Sequence, residues 1–493
     1  MKILALDLGT TGNRAIVFDG GQRVVASAYE EFTQIYPRPG WVEHDPEAIW
    51  RSALSVARRA LKKAPDVAAI GVTNQRETIV LWDRRTGKPV HRAIVWQDRR
   101  TAGMCEHLRK KGLAGPVHRR TGLFLDPYFS GTKLQWLLEN VPGAARRAAQ
   151  GRLAAGTIDS WIIWKLSGGR AHVTDTSNAS RTMLFNLRSK GWDPWLCRLF
   201  GVPEAVLPRI VPSSGEAARS AHKWLGREIP IMGIVGDQQA AAFAQGCYAP
   251  GIVKNTYGTG LFAVENTGGS LKFSKDLITT VAWTMDGRTE YALEGSVFVG
   301  GAAIQWLRDG IGIIRNSGES SRLASKLKSN DGVYFVPALV GLGAPYWDPY
   351  ARGTLLGITR GTGPAHLARA ALEAIAYQTR DIIEIMQKGV GARHAAPLRS
   401  LRVDGGAAAN DWLMQFQADL LGIPVERPRI LETTALGAAG LAGIAAGVWK
   451  DREDFSRARK VQRVFRPRGP RMVFNRLYEK WKKAVARARD WDV

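Results

Sequence analysis

Cysteine is scarce: Cys105, Cys197 and Cys247 are the only three in 493 residues, and no CxxC pair occurs. That excludes a disulfide framework and a cysteine-built zinc site, and it predicts a reducing, cytoplasmic setting. Long apolar runs are missing too. The longest, Ala435 to Trp449, is short for a bilayer span and rich in Ala and Gly, so it predicts a buried helix and no stable membrane insertion. The start, MKILALDLGTT, has no basic head followed by a separate apolar segment, so no secretory signal is expected. GxxxxGK[ST], HExxH and GxSxG are absent, which leaves P-loop, zinc-protease and serine-hydrolase chemistry without support. Acidic residues are outnumbered, 44 against 69 basic, for a net charge of +25. The surplus is spread along the chain and not interleaved with aromatics, so it predicts a solvated basic surface rather than a nucleic-acid interface.

What is present points to an α/β protein of two or more domains, with 45% hydrophobic residues and 53 glycines. The opening carries the clearest pattern. Two apolar runs, ILAL at 3–6 and AIVF at 15–18, flank Asp7, Gly9, Thr10, Thr11 and Gly12, which predicts a strand, a tight turn and a returning strand. Gly9 and Gly12 suit positive φ and close approach of a ligand to the backbone. Successive N–H groups in such a turn form an anion-binding nest, to which Thr10 and Thr11 add hydroxyls. Asp7, at the strand end, suits a divalent cation that bridges phosphate oxygens, reached through water. The pattern returns at 252–265, where Gly258-Thr259-Gly260 separates two strand-like runs. Two related halves are therefore expected, their loops facing each other across a cleft. A strand-like LFAV follows GTG, which argues against a dinucleotide fingerprint.

Polar clusters follow buried strands at several places, where open α/β sheets hold ligands. After VAAIGV at 67–72 stand Arg76 and Glu77, adjacent donor and acceptor groups suited to neighbouring hydroxyls, or else a solvated surface pair. Trp96 closes an apolar run, and Tyr128 sits in a turn before a helix starting near Ser130. Asp237 follows the strand 231–236 and suits either proton transfer from a hydroxyl or a helix N-cap. Gly300-Gly301 and Gly405-Gly406 each open a helix, where small residues admit a base or ribose, or simply allow tight packing. From about Asp451 onward, charged helical sequence reads as a solvated C-terminal region.

Taken in order, these residues resemble the FGGY carbohydrate kinases over nearly the whole chain. YFSGTKLQWLLEN at 128–140 is similar to the family's first signature, and GTLLGI at 353–358 with HLARAALE at 366–373 to its second. NQRET at 74–78, AIVWQDRR at 93–100, TSNASRTMLFN at 176–186 and GDQQAA at 236–241 resemble the glycerol-specific members. The resemblance implies an α/β chain of two related actin-like, ribonuclease-H-like ATPase domains with an active-site cleft between them. Domain 1–246 would hold glycerol and the phosphates, and domain 247–493 the nucleotide. The implied reaction is ATP-dependent phosphorylation of glycerol to sn-glycerol 3-phosphate with Mg²⁺; another polyol or a ketose is the alternative within the family.

By position, the resemblance implies glycerol contacts from Arg76, Glu77, Tyr128, Asp237 and Gln238, with Trp96 and Phe262 as apolar walls. It implies Asp237 as the catalytic base, Asp7 and Asp237 at the metal, and Thr10, Thr11, Gly12 and Arg14 at the phosphates. Thr259, Gly301, Gln305, Gly406 and Asn410 would surround the nucleotide. Leu8, Gly12 and Asn13 depart from the family's usual Gln and paired serines, which removes hydroxyl contacts at 12 and 13 and leaves the backbone nest. Glycerol and ATP are the expected partners, nucleic acid is not, and a homo-oligomer (dimer or tetramer) is expected. The rival from another class is an actin-like or chaperone-type ATPase, which would hydrolyse ATP without any polyol.

Overall fold

The computed structural model describes residues 1–388 and 398–492. Among these, two large mixed sheets share one strand plan. The first runs, edge to edge, Ser214–Arg219, Pro230–Gly236, Val67–Asn74, Lys2–Leu8, Gly12–Asp19, Val24–Glu31. The second runs Val461–Phe465, Val425–Pro428, Ser400–Asp404, Ile252–Tyr257, Leu261–Gly268, Arg288–Val297, with Ile278–Met285 beyond. In both, an antiparallel hairpin is extended by two strands parallel to its first strand and then by an antiparallel edge strand. The duplication expected from the two hairpins is thus present strand for strand.

The opening hairpin pairs Lys2 with Asp19 through to Leu8 with Asn13. Its residues alternate between two covered faces, which is why its strands read as near-continuous apolar runs. Leu4, Leu6 and Leu8 pack in one core with the helix Pro46–Lys63, which Asp45 caps by accepting from the Glu47 N–H at 2.9 Å. Ile3 and Ala5 pack in another with the helix Thr433–Ala445. That second helix comes from far along the chain. Its small residues allow it to lie directly on the first sheet and on the helix Asp237–Ala244: a Cβ at Gly71 would collide with the Ala438 carbonyl, and one at Gly437 with the Ala240 carbonyl.

The turn glycines are used differently from expectation. Neither Gly9 nor Gly12 has a positive φ. Both are needed for close approach, since a Cβ would come within 2.9 Å of the Gly12 oxygen at Gly9 and 2.7 Å of the Glu30 oxygen at Gly12. Asn13 turns inward and donates to the Ile49 carbonyl at 2.9 Å, so it anchors the helix Pro46–Lys63 instead of facing the cleft.

The segment after Asp451 is not the solvated region its charge suggested. Val461–Phe465 pairs with Val425–Pro428 as a sheet edge, and the helix Arg471–Ala488 buries Tyr478, Trp481, Val485 and Ala488. Tyr478 and Trp481 donate to the two oxygens of buried Asp381, at 2.6 and 2.9 Å. Basic residues between these positions concealed an apolar stripe at helical spacing. No helix among the described residues is long and apolar enough to cross a membrane.

Candidate active site

The strand Val67–Asn74 ends between the two halves, and the polar run that follows it turns into a cavity of about 170 Å³. Arg76 and Glu77 are both buried there, so the solvated-pair reading does not hold. Glu77 has φ +62°, a left-handed conformation uncommon outside glycine. Its carbonyl accepts from Ser130 Oγ at 2.9 Å and Lys133 Nζ at 3.4 Å, and Lys133 also donates to the Tyr128 carbonyl at 2.6 Å. The helix Ser130–Asn140 thereby ties the Glu77 turn to the Tyr128 turn. Burial pushes the Lys133 ammonium down to about 7.

Three aromatic rings shape the cavity. Trp96 meets Tyr128 edge to face at 5.8 Å and Phe262 at 6.3 Å, and its indole N–H donates to Thr10 Oγ1 at 3.0 Å. Phe262 comes from the second hairpin, so both halves enclose the same space.

Asp237 is the first residue of the helix Asp237–Ala244, with Gly236 in the cap position, so Asp237 is not the N-cap. Its side chain is 29% exposed, against 2% or less for Arg76, Glu77 and Glu294. Of these carboxylates, it is therefore the most exposed. Arg76 Nε lies 3.0 Å from Asp237 Oδ1. Gln238 donates back to Asp237 Oδ2 at 3.2 Å and accepts from buried Lys254 at 2.6 Å. Arg76, Glu77, Trp96, Tyr128, Asp237, Gln238 and Phe262 all line this cavity, together with Thr10, which the resemblance had placed at the phosphates, and Gln75, Thr259 and Gly260.

Thr259 also lines a second, larger cavity of about 530 Å³, and so joins the two. Gly301, Gln305, Gly406 and Asn410 line that second space. A Cβ at Gly406 would meet nothing within 4 Å and would stand in the opening, a position that leaves room for a flat ring. The helix beyond does not begin at the double glycine; a short 3-10 turn, Gly406–Ala409, comes first, and Asn410 caps the helix Asp411–Leu421.

Thr11, Gly12 and Arg14 line neither cavity. Arg14 forms an ion pair with Glu432, which immediately precedes the helix Thr433–Ala445. Burial, with repulsion from Asp237 and Glu432, pushes the Asp7 carboxyl up to about 7. A cation beside Asp7 would relieve both effects. Among the described residues, no three His, Cys, Asp or Glu side chains are grouped to hold a metal. A divalent ion here would accordingly lean on water and phosphate oxygens, the usual habit of Mg²⁺.

Two buried residues escaped the sequence reading. Glu294 binds both terminal nitrogens of Arg76, and Arg181 bridges Glu294 to Glu77. Burial would raise the Glu294 carboxyl, but Arg181 and Arg76 outweigh it and hold it near 2. The available signal was a lone acid in the apolar strand sequence YALEGSV.

Residues 2–244 match the N-terminal domain of the FGGY family of carbohydrate kinases, and residues 253–446 match its C-terminal domain. The chain belongs to the FGGY family of carbohydrate kinases. Within that family it is 58% identical to a glycerol kinase from Trichlorobacter lovleyi, over 99% of both chains. It is 55% identical to glycerol kinase 2 from Thermotoga maritima, again over 99% of each. The crystal structure of Plasmodium falciparum glycerol kinase with ADP superposes with a TM-score of 0.92 at 34% identity, covering 99% of this chain and 98% of that one. A xylulose kinase from Lactobacillus acidophilus, 22% identical with a TM-score of 0.88 over 99% of both chains, shares the fold. The actin-like plan of paired sheets is therefore that of FGGY kinases generally.

Proposed function

We propose that this FGGY kinase transfers the terminal phosphoryl group of ATP to a primary hydroxyl of glycerol, giving sn-glycerol 3-phosphate. The observation that carries the reading is the pair of cavities that meet at Thr259: a small one with polar and aromatic walls, and a larger one floored by glycine. The small cavity, about 170 Å³, lies below the roughly 300 Å³ at which pockets for larger ligands begin, which suits a three-carbon triol. The relatives at 55–58% identity are glycerol kinases, which supports the same substrate.

In phosphoryl transfer, positioning and charge stabilisation carry most of the rate. Arg76 and Glu77 present donors and an acceptor side by side to adjacent hydroxyls. Trp96 and Phe262 cover the carbon skeleton. Asp237, the open carboxylate, orients the attacking hydroxyl and takes its proton. Thr10 lines the small cavity, and Thr259 stands where the two substrates meet. Mg²⁺, when bound, neutralises phosphate charge, and Asp7 and Asp237 are the residues that would hold it. Closure of the halves over the site excludes water, the competing acceptor.

The test is ADP release from ATP and Mg²⁺ with glycerol present or absent, then with xylulose, ribitol and gluconate. Glycerol should give the highest kcat/KM. ADP release of equal rate without any polyol would overturn the reading, as would preference for a ketose.

A further inference from the structure

Behind the small cavity lies a chain of five alternating charges: Asp237, Arg76, Glu294, Arg181, Glu77. Glu294 belongs to the strand Arg288–Val297 of the second sheet, whereas Arg76 and Glu77 extend from the first. Its carboxylate accepts from Arg76 through Nη1 at 2.5 Å and Nη2 at 3.0 Å, from Arg181 at 2.9 Å and from Ser296 Oγ at 3.2 Å. Arg181 Nε donates onward to Glu77 at 2.6 Å. Neither Glu294 nor Arg181 lines the cavity, and both are fully buried.

We infer that Glu294 and Arg181 are positioning residues for the polyol: Glu294 fixes the plane of the Arg76 guanidinium, and Arg181 fixes the Glu77 carboxylate. A buried ion cluster is a poor means of adding stability, because apolar packing of equal volume does as well or better. A cluster that ends on two cavity-lining groups serves orientation instead. With both terminal nitrogens held by Glu294, Arg76 keeps its Nε edge toward Asp237. Glu77, already in a left-handed conformation, is denied other rotamers by Arg181. A recognition pair set from behind discriminates hydroxyl patterns sharply, since a misplaced hydroxyl leaves a buried donor or acceptor of the pair without a hydrogen bond. Because Glu294 is delivered by the second sheet, the substrate groups of the first half are aligned by the other half.

This inference rests on the glycerol reading above. The test measures glycerol and ATP kinetics, together with glycerol affinity by titration calorimetry, for the wild-type protein, Glu294→Gln and Glu294→Asp. Loss of the charge in Glu294→Gln should raise the glycerol KM and Kd by about tenfold or more, with the ATP KM within about twofold. Glu294→Asp, which keeps the charge on a shorter stem, should fall between. Ser296→Ala, which removes one minor bond to Glu294, gives a milder version that keeps the test open should Glu294→Gln fail to fold. Its expected effect is a smaller glycerol KM rise in the same direction. Unchanged glycerol KM and Kd across these variants, with only a lower melting temperature, would overturn the inference and leave the glycerol reading standing. A wild-type protein without glycerol-dependent ADP release would overturn both.

Discussion

Arg76 Nε and Asp237 Oδ1 lie 3.0 Å apart, so the exposed end of a buried charge chain is a carboxylate that lines the small cavity. Asp237→Asn keeps the shape and removes the proton acceptor. Turnover should fall roughly 10²- to 10⁴-fold in a coupled ADP assay, the usual share of a general base. The melting temperature should hold within a few degrees, since Asp237 is the least buried member of the chain. Near-normal turnover would remove Asp237 from the role assigned to it.

The indole of Trp96 ties two walls of the small cavity together by donating to Thr10. Trp96→Phe retains the apolar wall and deletes that bond, which is worth about 1 kcal/mol net. Glycerol KM should rise about fivefold, with a parallel loss in kcat/KM for ATP because Thr10 loses its anchor. Initial rates over a grid of both substrates separate the two effects.

Asp381 makes stability depend on pH. Burial pushes its carboxyl from 3.8 up to about 7, although Tyr478 and Trp481 hydrogen-bond to it and favour the charged form. The folded protein therefore binds more protons than the unfolded chain between those values, and stability falls as pH rises through that window. The contribution is full below about 4 and gone above about 7, on the order of 4 kcal/mol across the span. Chemical denaturation at pH 5 and pH 8 should show the drop, and Asp381→Asn should make it smaller, leaving the share of the other raised carboxyls such as Asp7.

Gly437 allows two helices to touch at the Ala240 carbonyl. Gly437→Ala should cost about 1–3 kcal/mol by overpacking. It should also lower kcat, because the displaced partner is the helix that begins with Asp237. Urea denaturation together with turnover of the folded fraction tests both parts.

The parts of this molecule that repeat or alternate were readable from the chain. The two hairpins announced themselves through apolar runs around glycine and threonine. Residues lining the cavities came from motif positions, and most of them converge. Arg14 did not, because its partner, Glu432, is remote in sequence and local pattern cannot pair them. Glu294 and Arg181 were missed for the same reason: a lone acid in one strand and an arginine in a serine-rich turn gain meaning only when the two halves meet. The C-terminal helix was misread because Arg and Lys stems outnumbered the ring-bearing positions that dock on Asp381.

The placement of the helix Thr433–Ala445 on the first sheet has a consequence for biosynthesis. Every strand of that sheet has been synthesised once Gly236 is made, yet the face over Gly71 stays bare until the helix emerges near the other end of the polypeptide. The half built on the first sheet is thus no autonomous folding unit, and nascent chains halted before Thr433 would expose a sticky apolar floor to chaperones.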